Sequence, residues 1–439
     1  MNQQKNYRTA FIFLAVLFFL WGFITVLVDS LIPRLREVFT LSYFQAGMVQ
    51  FSFFGAYFLI SIPAGYILSK IGYKKGIILG LVTMAIGCLL FYPAASMRIF
   101  GIFMLAYFML AAGMTVLQVA ANPYVTVLGS EQTASSRLNL SQAYNSLGTA
   151  IAPAIGALFI LKDKVMGVEE IEAMDEAMRK SYYISEAATV QLPFLGIAIF
   201  IAIIALVFVF VKLPKIGNTS ISNDYRSVLE NKNLVMGAIG LFFYVGAEVA
   251  LGSYMVNYFL SLDLAEIIRN SNFMKTIAEW VLTSGVATSS DMAVVGVFVT
   301  FYWTGAMIGR FIGSYLTQLI NPARVLVFFA IGAIVMIVIS LMSTGLVAMW
   351  TLIAVGLFNS IMFPTIFSLA LDGLGNDKPQ GSGVLCTMIV GGAIIPPAFG
   401  FLTDSFGFKL AFLVIVFSYG FIFYFAYQNK PMKTIKDHL

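Results

Sequence analysis

The stretch LFFLWGFITVLVDSLIP, Leu17 to Pro33, carries one carboxylate, Asp29, inside an apolar run that begins at Ala10. Between Ala10 and Pro33 the only fully polar side chains are Thr25, Asp29 and Ser30. About 20 apolar residues suffice to cross the hydrocarbon core of a bilayer as a helix, so this run has the length of a membrane span. A carboxylate in that setting calls for a function.

The rest of the chain has the same character. Of its 439 residues 60% are hydrophobic, 15% aromatic and 11% charged, and the mean hydropathy is +0.90. That composition excludes a soluble globule and defines a polytopic helical membrane protein. Apolar stretches of bilayer length predict twelve spans, at about 9–33, 44–69, 76–95, 99–128, 138–161, 187–212, 233–260, 292–319, 324–342, 346–371, 382–403 and 408–428. An even count puts both termini on one side.

Lys and Arg gather in cytoplasmic loops. With both termini cytoplasmic, sixteen of the 26 basic residues fall in the inner segments, Arg310 among them. The inner segments then sum to +10 and the outer ones to −3. The formal +5 is therefore a topology signal and implies no nucleic-acid partner. The first run lacks a small-residue cleavage site, so it is expected to stay as a mature helix. Cys88 and Cys386 both fall within spans and read as packing residues, and His438 is the only histidine. Neither a disulfide, a metal site built on these residues nor a histidine proton relay is expected.

Internal repetition organises the chain. LFFLWGFITVL from Leu17 matches LFFYVGAEVAL from Leu241 at Leu-Phe-Phe, at the glycine five positions on, and at the leucine five further. Gly148, Pro153, Gly156 and Leu158 recur at the same spacings as Gly392, Pro397, Gly400 and Leu402, and Pro123 and Pro364 occupy matching places in spans 4 and 10. Three matches in one order predict two six-helix halves, 1–212 and 233–439, joined by a basic cytoplasmic loop at 213–232. Between spans 2 and 3, GYILSKIGYKK (Gly65 to Lys75) resembles the loop 2-3 signature of the major facilitator superfamily, with Ser69 where that motif usually has an acid. GRFIGS, Gly309 to Ser314, is read as its counterpart in the second half.

Only Asp29 and Glu248 lie well inside apolar runs, and no Lys or Arg is expected at their depth to neutralise them. A charge at the bilayer centre costs about 2.5 to 3.5 kcal/mol on insertion scales, so each carboxyl should face a wet cavity and bind a proton, a cation or a substrate. Neutral amides accompany them: Gln118 and Asn122 four apart on span 4, Gln142 and Asn145 three apart on span 5, Asn257 on span 7 and Asn359 on span 10. Amides offer donor and acceptor together, which suits sugar hydroxyls, and Trp21 or Trp303 could supply a platform for the apolar face of a sugar. Helix-to-helix hydrogen bonding is the competing reading of any single amide.

LQVAANPYVTVLG (Leu117 to Gly129), RLNLSQAYNSLGT (Arg137 to Thr149), FFYVGAEVALGSY (Phe242 to Tyr254) and FNSIMFPTIFSLAL (Phe358 to Leu371), with DSLIP at Asp29, resemble the fucose-galactose-glucose:cation symporter family of the major facilitator superfamily. The likeness spans nearly the whole chain and is stronger to the bacterial glucose/galactose branch than to fucose permease. It implies an all-α membrane protein with twelve transmembrane helices in two six-helix halves. It also implies import of a hexose by alternating access, no cofactor beyond the coupling ion, and no enzymatic activity. The expected setting is the bacterial inner membrane, with the lipid bilayer as surroundings and the protein a monomer.

Fucose permease has an acid where this chain has Gln118 and an amide where it has Glu248. The resemblance implies cation coupling at Asp29, with Glu248 as a second candidate and the two as a possible Na+ site. It implies sugar contacts from Gln118, Asn122, Gln142, Asn145, Glu248, Trp303 and Asn359. Na+ is the expected coupling ion, with an H+-coupled fucose or other monosaccharide permease as the alternative. A drug efflux antiporter fits the amide pairs less well. A sugar receptor would need a soluble signalling domain, for which the tails and central loop are too short. In the outer segments, Ile171, Met174 and Met178 predict a short surface helix, and 261–290 is expected to pack over the cavity mouth.

Overall fold

A computed structural model describes residues 2–38, 43–159, 174–214, 225–282 and 285–429, with the side chains of 2–6, 29–38, 43–47, 50, 154–159, 179–180 and 183–190 outside the described set. The described secondary structure is helical, as the composition dictates. In chain order the helices are α1 (Asn2–Val38), α2 (Tyr43–Ile71), α3 (Tyr73–Met97), α4 (Phe100–Val127), α5 (Ala134–Phe159) and α6 (Glu176–Phe210). They continue with α7 (Tyr225–Leu229), α8 (Lys232–Ser261), α9 (Leu264–Asn270), α10 (Asn272–Glu279), α11 (Asp291–Gly296) and α12 (Val299–Leu319). The remainder are α13 (Pro322–Met342), α14 (Gly345–Asn359), α15 (Met362–Ala370), α16 (Lys378–Thr387), α17 (Gly391–Phe406) and α18 (Phe408–Gln428).

Among the described residues, eleven helical segments are long and apolar enough to cross a membrane. The twelfth expected span is α5, 26 residues long. Its first half carries Arg137, Asn139, Ser141, Gln142 and Asn145, and its second half is apolar. The exterior is apolar, unlike that of a soluble protein. Leu79, Val82, Ile86 and Leu89 on α3, and Ile331, Val335, Val338 and Met342 on α13, expose apolar stripes at helical spacing. Stripes of that kind are stable only against lipid.

The chain forms two compact units. One comprises 1–129, 144–228 and 373–387, and the other 130–143, 229–372 and 388–439. Each unit thus takes in a short segment from the opposite part of the sequence, a feature the repeat pattern did not announce. Within the second unit the 130–143 segment is held by hydroxyls and an amide. Ser135 and Ser368 share a hydrogen bond of 2.5 Å, Ser314 donates to the Ser136 carbonyl at 3.0 Å, and Asn139 donates to Thr365 at 3.1 Å.

Glycines set the closest helix crossings. A Cβ on Gly22 would collide with the Asn145 carbonyl of α5, and one on Gly148 with the Phe19 carbonyl of α1. In the second unit a Cβ on Gly246 would meet Ile395, and one on Gly391 the Phe242 carbonyl, so α8 and α17 cross as closely as α1 and α5.

One expectation needs correction. GRFIGS lies inside α12 rather than in a loop, and Arg310 stands nine residues before that helix ends, about 13 Å along its axis. The positive-inside count placed Arg310 in an inner segment because it reads charge and takes no account of helix depth. Of the expected surface helix, Ile171 lies outside the described residues, and Met178 belongs to the long α6, whose first turn Asp175 caps by accepting from the Met178 amide at 2.7 Å. Residues 261–290 are partly helical, as α9 and α10, and Arg269 ties the segment to α11 through Asp291 at 2.5 Å and the Ser289 carbonyl at 2.9 Å.

Candidate functional site

Pro364 creates the polar centre of the second unit. A proline has no N–H, so the carbonyl four residues earlier, that of Ser360, loses its helical donor. The helix breaks there, α14 ending at Asn359 and α15 resuming at Met362. Arg310, from another helix, satisfies the released carbonyl, its Nε donating to the Ser360 oxygen at 3.2 Å, and the Tyr244 hydroxyl stands 3.2 Å from the Asn359 oxygen. Gly309 permits this approach, because a Cβ there would press on Ser360 and the Leu357 carbonyl. The glycine before the arginine is therefore a packing requirement of the break.

Glu248 joins the same cluster. Its Oε1 accepts from Tyr244, four residues earlier on α8, at 2.8 Å and lies 4.0 Å from an Arg310 terminal nitrogen. Asn359 donates to the Tyr302 hydroxyl at 2.7 Å. Tyr244, Tyr302 and Asn359 are fully buried, whereas the side chains of Arg310 and Glu248 keep 16% and 17% of their surface accessible. The two charged side chains are therefore mostly buried, against a neutral hydrogen-bonded layer. The sequence reading that no basic residue shares the depth of Glu248 is wrong, because Arg310 does. A buried carboxylate is tolerable beside a guanidinium, which also forms a poor neighbour for a second cation.

Trp303 lies two turns from Arg310 on α12 and half exposed, at 48%. Its indole packs 3.1 Å from the position a Cβ of Gly252 would take, and Gly252 is one turn beyond Glu248 on α8. The two helices therefore pair Glu248 with Arg310 at one level and Gly252 with Trp303 at the next.

The first unit is organised differently. Gln118 is buried and accepts from the Tyr57 hydroxyl at 2.9 Å. Asn122, one turn on, is fully buried. Asn145 donates to the Phe18 carbonyl of α1 at 3.0 Å, so its amide nitrogen serves a helix contact. Gln142 is buried and falls with the 130–143 segment in the second unit. Trp21 is buried against Phe18, and Asn257 is exposed. Asp29 lies on α1 with its side chain outside the described residues. Among the described residues no three His, Cys, Asp or Glu side chains gather as a metal-binding group.

The structure thus brings together Glu248, Asn359 and Trp303, and adds Arg310, Tyr244 and Tyr302, which the sequence reading missed. Tyr244 precedes Glu248 by four residues, a spacing that could have named it. Arg310 could have been found as the only basic residue within the 21 residues of α12.

Membrane-spanning helices with polar groups gathered at a helix break have the features of a transport pathway. Residues 11–384 match the family model described as Major Facilitator Superfamily. The glucose/galactose transporter of Brucella abortus biovar 1 (strain 9-941) is 45% identical over 428 residues, 97% of this chain and 95% of that one. The L-fucose-proton symporter of Escherichia coli (strain K12) is 34% identical over 443 residues, 99% and 96% of the two chains. A crystal structure of the transporter FucP in the outward conformation superposes with a TM-score of 0.86 at 32% identity, covering 97% of this chain and all of that one. The chain belongs to the major facilitator superfamily, and within it to the fucose-galactose-glucose:cation symporter family.

Proposed function

We infer that the chain is a cation-coupled importer of a hexose of the glucose/galactose type, working by alternating access without a cofactor. The observation that carries this reading is the 45% identity, over 97% of the chain, to a protein named for glucose and galactose transport. The cluster around Glu248, Arg310 and Trp303 supports it chemically, since it joins a donor, an acceptor and an aromatic face. Gln118, Asn122, Gln142, Asn145 and Asn359 are the amides assigned to sugar contact or to its support. The setting is the bacterial inner membrane, with both termini cytoplasmic and the protein monomeric.

Asp29 is assigned as the coupling carboxylate and Na+ as the ion. The guanidinium beside Glu248 favours Asp29 over Glu248 as the cation ligand. The second reading, H+ coupling at Asp29, draws on the relative named as an L-fucose-proton symporter and on Arg310, which takes Glu248 out of a two-carboxylate cation site.

Uptake of labelled glucose into proteoliposomes tests both. The expected result is accumulation under an imposed Na+ gradient at constant pH. Accumulation under a pH gradient alone would install the second reading, and no glucose transport under either gradient would remove the hexose assignment. Asp29→Asn should exchange sugar across the membrane without concentrating it, and a variant that still accumulates sugar would free Asp29 from the coupling role.

A further inference from the structure

Packing within the first unit brings Lys74, Lys75 and Lys212 to one end of α3 and α6. Lys74 Nζ donates to the Val209 carbonyl at 2.8 Å, which joins the start of α3 to the last turn of α6 across 135 residues. Lys212 follows just after that helix ends. The Tyr124 hydroxyl donates to the Pro214 carbonyl at 2.7 Å, and its ring stacks on Tyr73 with centroids 5.1 Å apart, so the 211–214 segment is fixed beside the base of α3. Lys75 and Lys212 are exposed, no acid stands in the first turn of α3, and among the described residues neither lysine has a carboxylate partner. The apolar surface leading away from this cluster is in register with it. Lys75, Leu79, Val82, Ile86 and Leu89 follow one another at spacings of four and three, so Lys75 heads the exposed stripe of α3. Ile199, Ile203, Leu206 and Phe210 form a second exposed stripe, on α6, that stops just before Lys212. The two helices stay side by side toward their other ends, where Phe91 stacks on Phe194 with centroids 3.9 Å apart and Gln191 donates to the Tyr92 carbonyl at 3.1 Å.

We propose that Lys75 and Lys212, with Lys74 beside them, hold the headgroup of an anionic phospholipid whose acyl chains lie along the exposed stripes of α3 and α6. Two chemistries meeting at one place select that occupant. From Leu79 to Leu89 the α3 stripe rises about 15 Å, which is the depth of one leaflet, half of a hydrocarbon core about 30 Å thick. A soluble anion would answer the lysines and leave the stripes without a role, and a zwitterionic lipid would cover the stripes and leave the lysines without a counter-charge. Lysine suits the task, because its flexible stem can lie on apolar surface while the ammonium reaches the phosphate level. A lipid bound there bridges the base of α3 to the segment through which the chain leaves α6. The site is independent of the sugar and of the coupling ion.

Native mass spectrometry of the purified full chain in a neutral detergent, with phosphatidylglycerol and phosphatidylcholine of the same acyl chains as probes, tests the proposal. The wild-type protein should retain phosphatidylglycerol in preference to phosphatidylcholine by about tenfold or more. Lys75→Gln combined with Lys212→Gln should reduce that preference to about twofold or less. Lys232→Gln combined with Arg324→Gln removes the same charge from exposed positions of the second unit and should leave the preference intact. A preference that survives in the first double variant would overturn the site. Equal loss in both double variants would overturn it too, because net charge alone would then attract the lipid. Displacement of phosphatidylglycerol by excess inorganic phosphate would overturn the lipid as occupant in favour of a free anion.

Discussion

Two prolines at matching places in the repeat, Pro123 and Pro364, pose one problem and receive two answers. Each deprives the carbonyl four residues earlier of its helical donor. In the first unit the Val119 carbonyl accepts from the Ser382 hydroxyl at 2.9 Å, and α4 continues unbroken through Pro123. In the second unit the Ser360 carbonyl accepts from Arg310, and the helix is interrupted. A hydroxyl satisfies an acceptor and adds nothing further. A guanidinium satisfies it, brings a charge into the membrane and so requires Glu248. The difference shows how one repeated proline can remain structural in one half and found a charged site in the other.

The largest effect expected from breaking this asymmetry is at Arg310. Arg310→Ala leaves the Glu248 carboxylate partly buried without its counter-charge and should destabilise the protein by about 3 to 5 kcal/mol, read as thermal unfolding in detergent. Adding Glu248→Gln should restore part of the loss, and no recovery in the double variant would show that the pair is not coupled.

The glycine crossings give a smaller and graded test. Gly22→Ala drives a methyl to 2.2 Å from the Asn145 backbone carbonyl oxygen, whereas Gly246→Ala meets Ile395, whose Cδ1 can turn while its Cβ, 2.7 Å away, is fixed to the backbone. Overpacking of this kind costs about 1 to 3 kcal/mol, and Gly22→Ala should fall at the upper end and Gly246→Ala at the lower. Equal unfolding temperatures would mean that the two crossings do not differ in compliance.

Least of all should Ser382→Ala matter. Loss of one neutral hydrogen bond to a buried carbonyl costs about 1 kcal/mol, and sugar transport should persist. A transport defect as deep as that of the Arg310 variants would erase the distinction between the two prolines.

Much of this architecture is written in residue patterns. Apolar runs locate the spans, and the glycines at 22 and 246, legible as repeat markers, stand at close crossings that only the packing reveals. The span at 138–161, which forms α5, is legible both as an apolar stretch and by the amides and arginine of its first half. At the site, Glu248 and Asn359 stand out because a polar group in an apolar run costs free energy unless it has a role. Arg310 escaped because charge in this class is ordinarily read as loop topology, and its depth follows from where α12 ends. The bond from Arg310 to Ser360 joins residues 50 apart, and that from Tyr57 to Gln118 residues 61 apart. Neither has a local signal, because each depends on which helices pack together. The exchange of 130–143 and 373–387 between the units is likewise a property of packing.

The capped break in the second unit is expected to be part of the transport site, and the capped proline in the first to be scaffold. Hexose counterflow in proteoliposomes, with equal sugar and cation on both sides apart from the label, compares Arg310→Lys with Ser382→Ala at matched amounts of folded protein. The account predicts exchange near the wild-type rate for Ser382→Ala and exchange reduced by about tenfold or more for Arg310→Lys, whose single point charge cannot reproduce the planar fork. Wild-type exchange by Arg310→Lys, or equal loss in both variants, would contradict it.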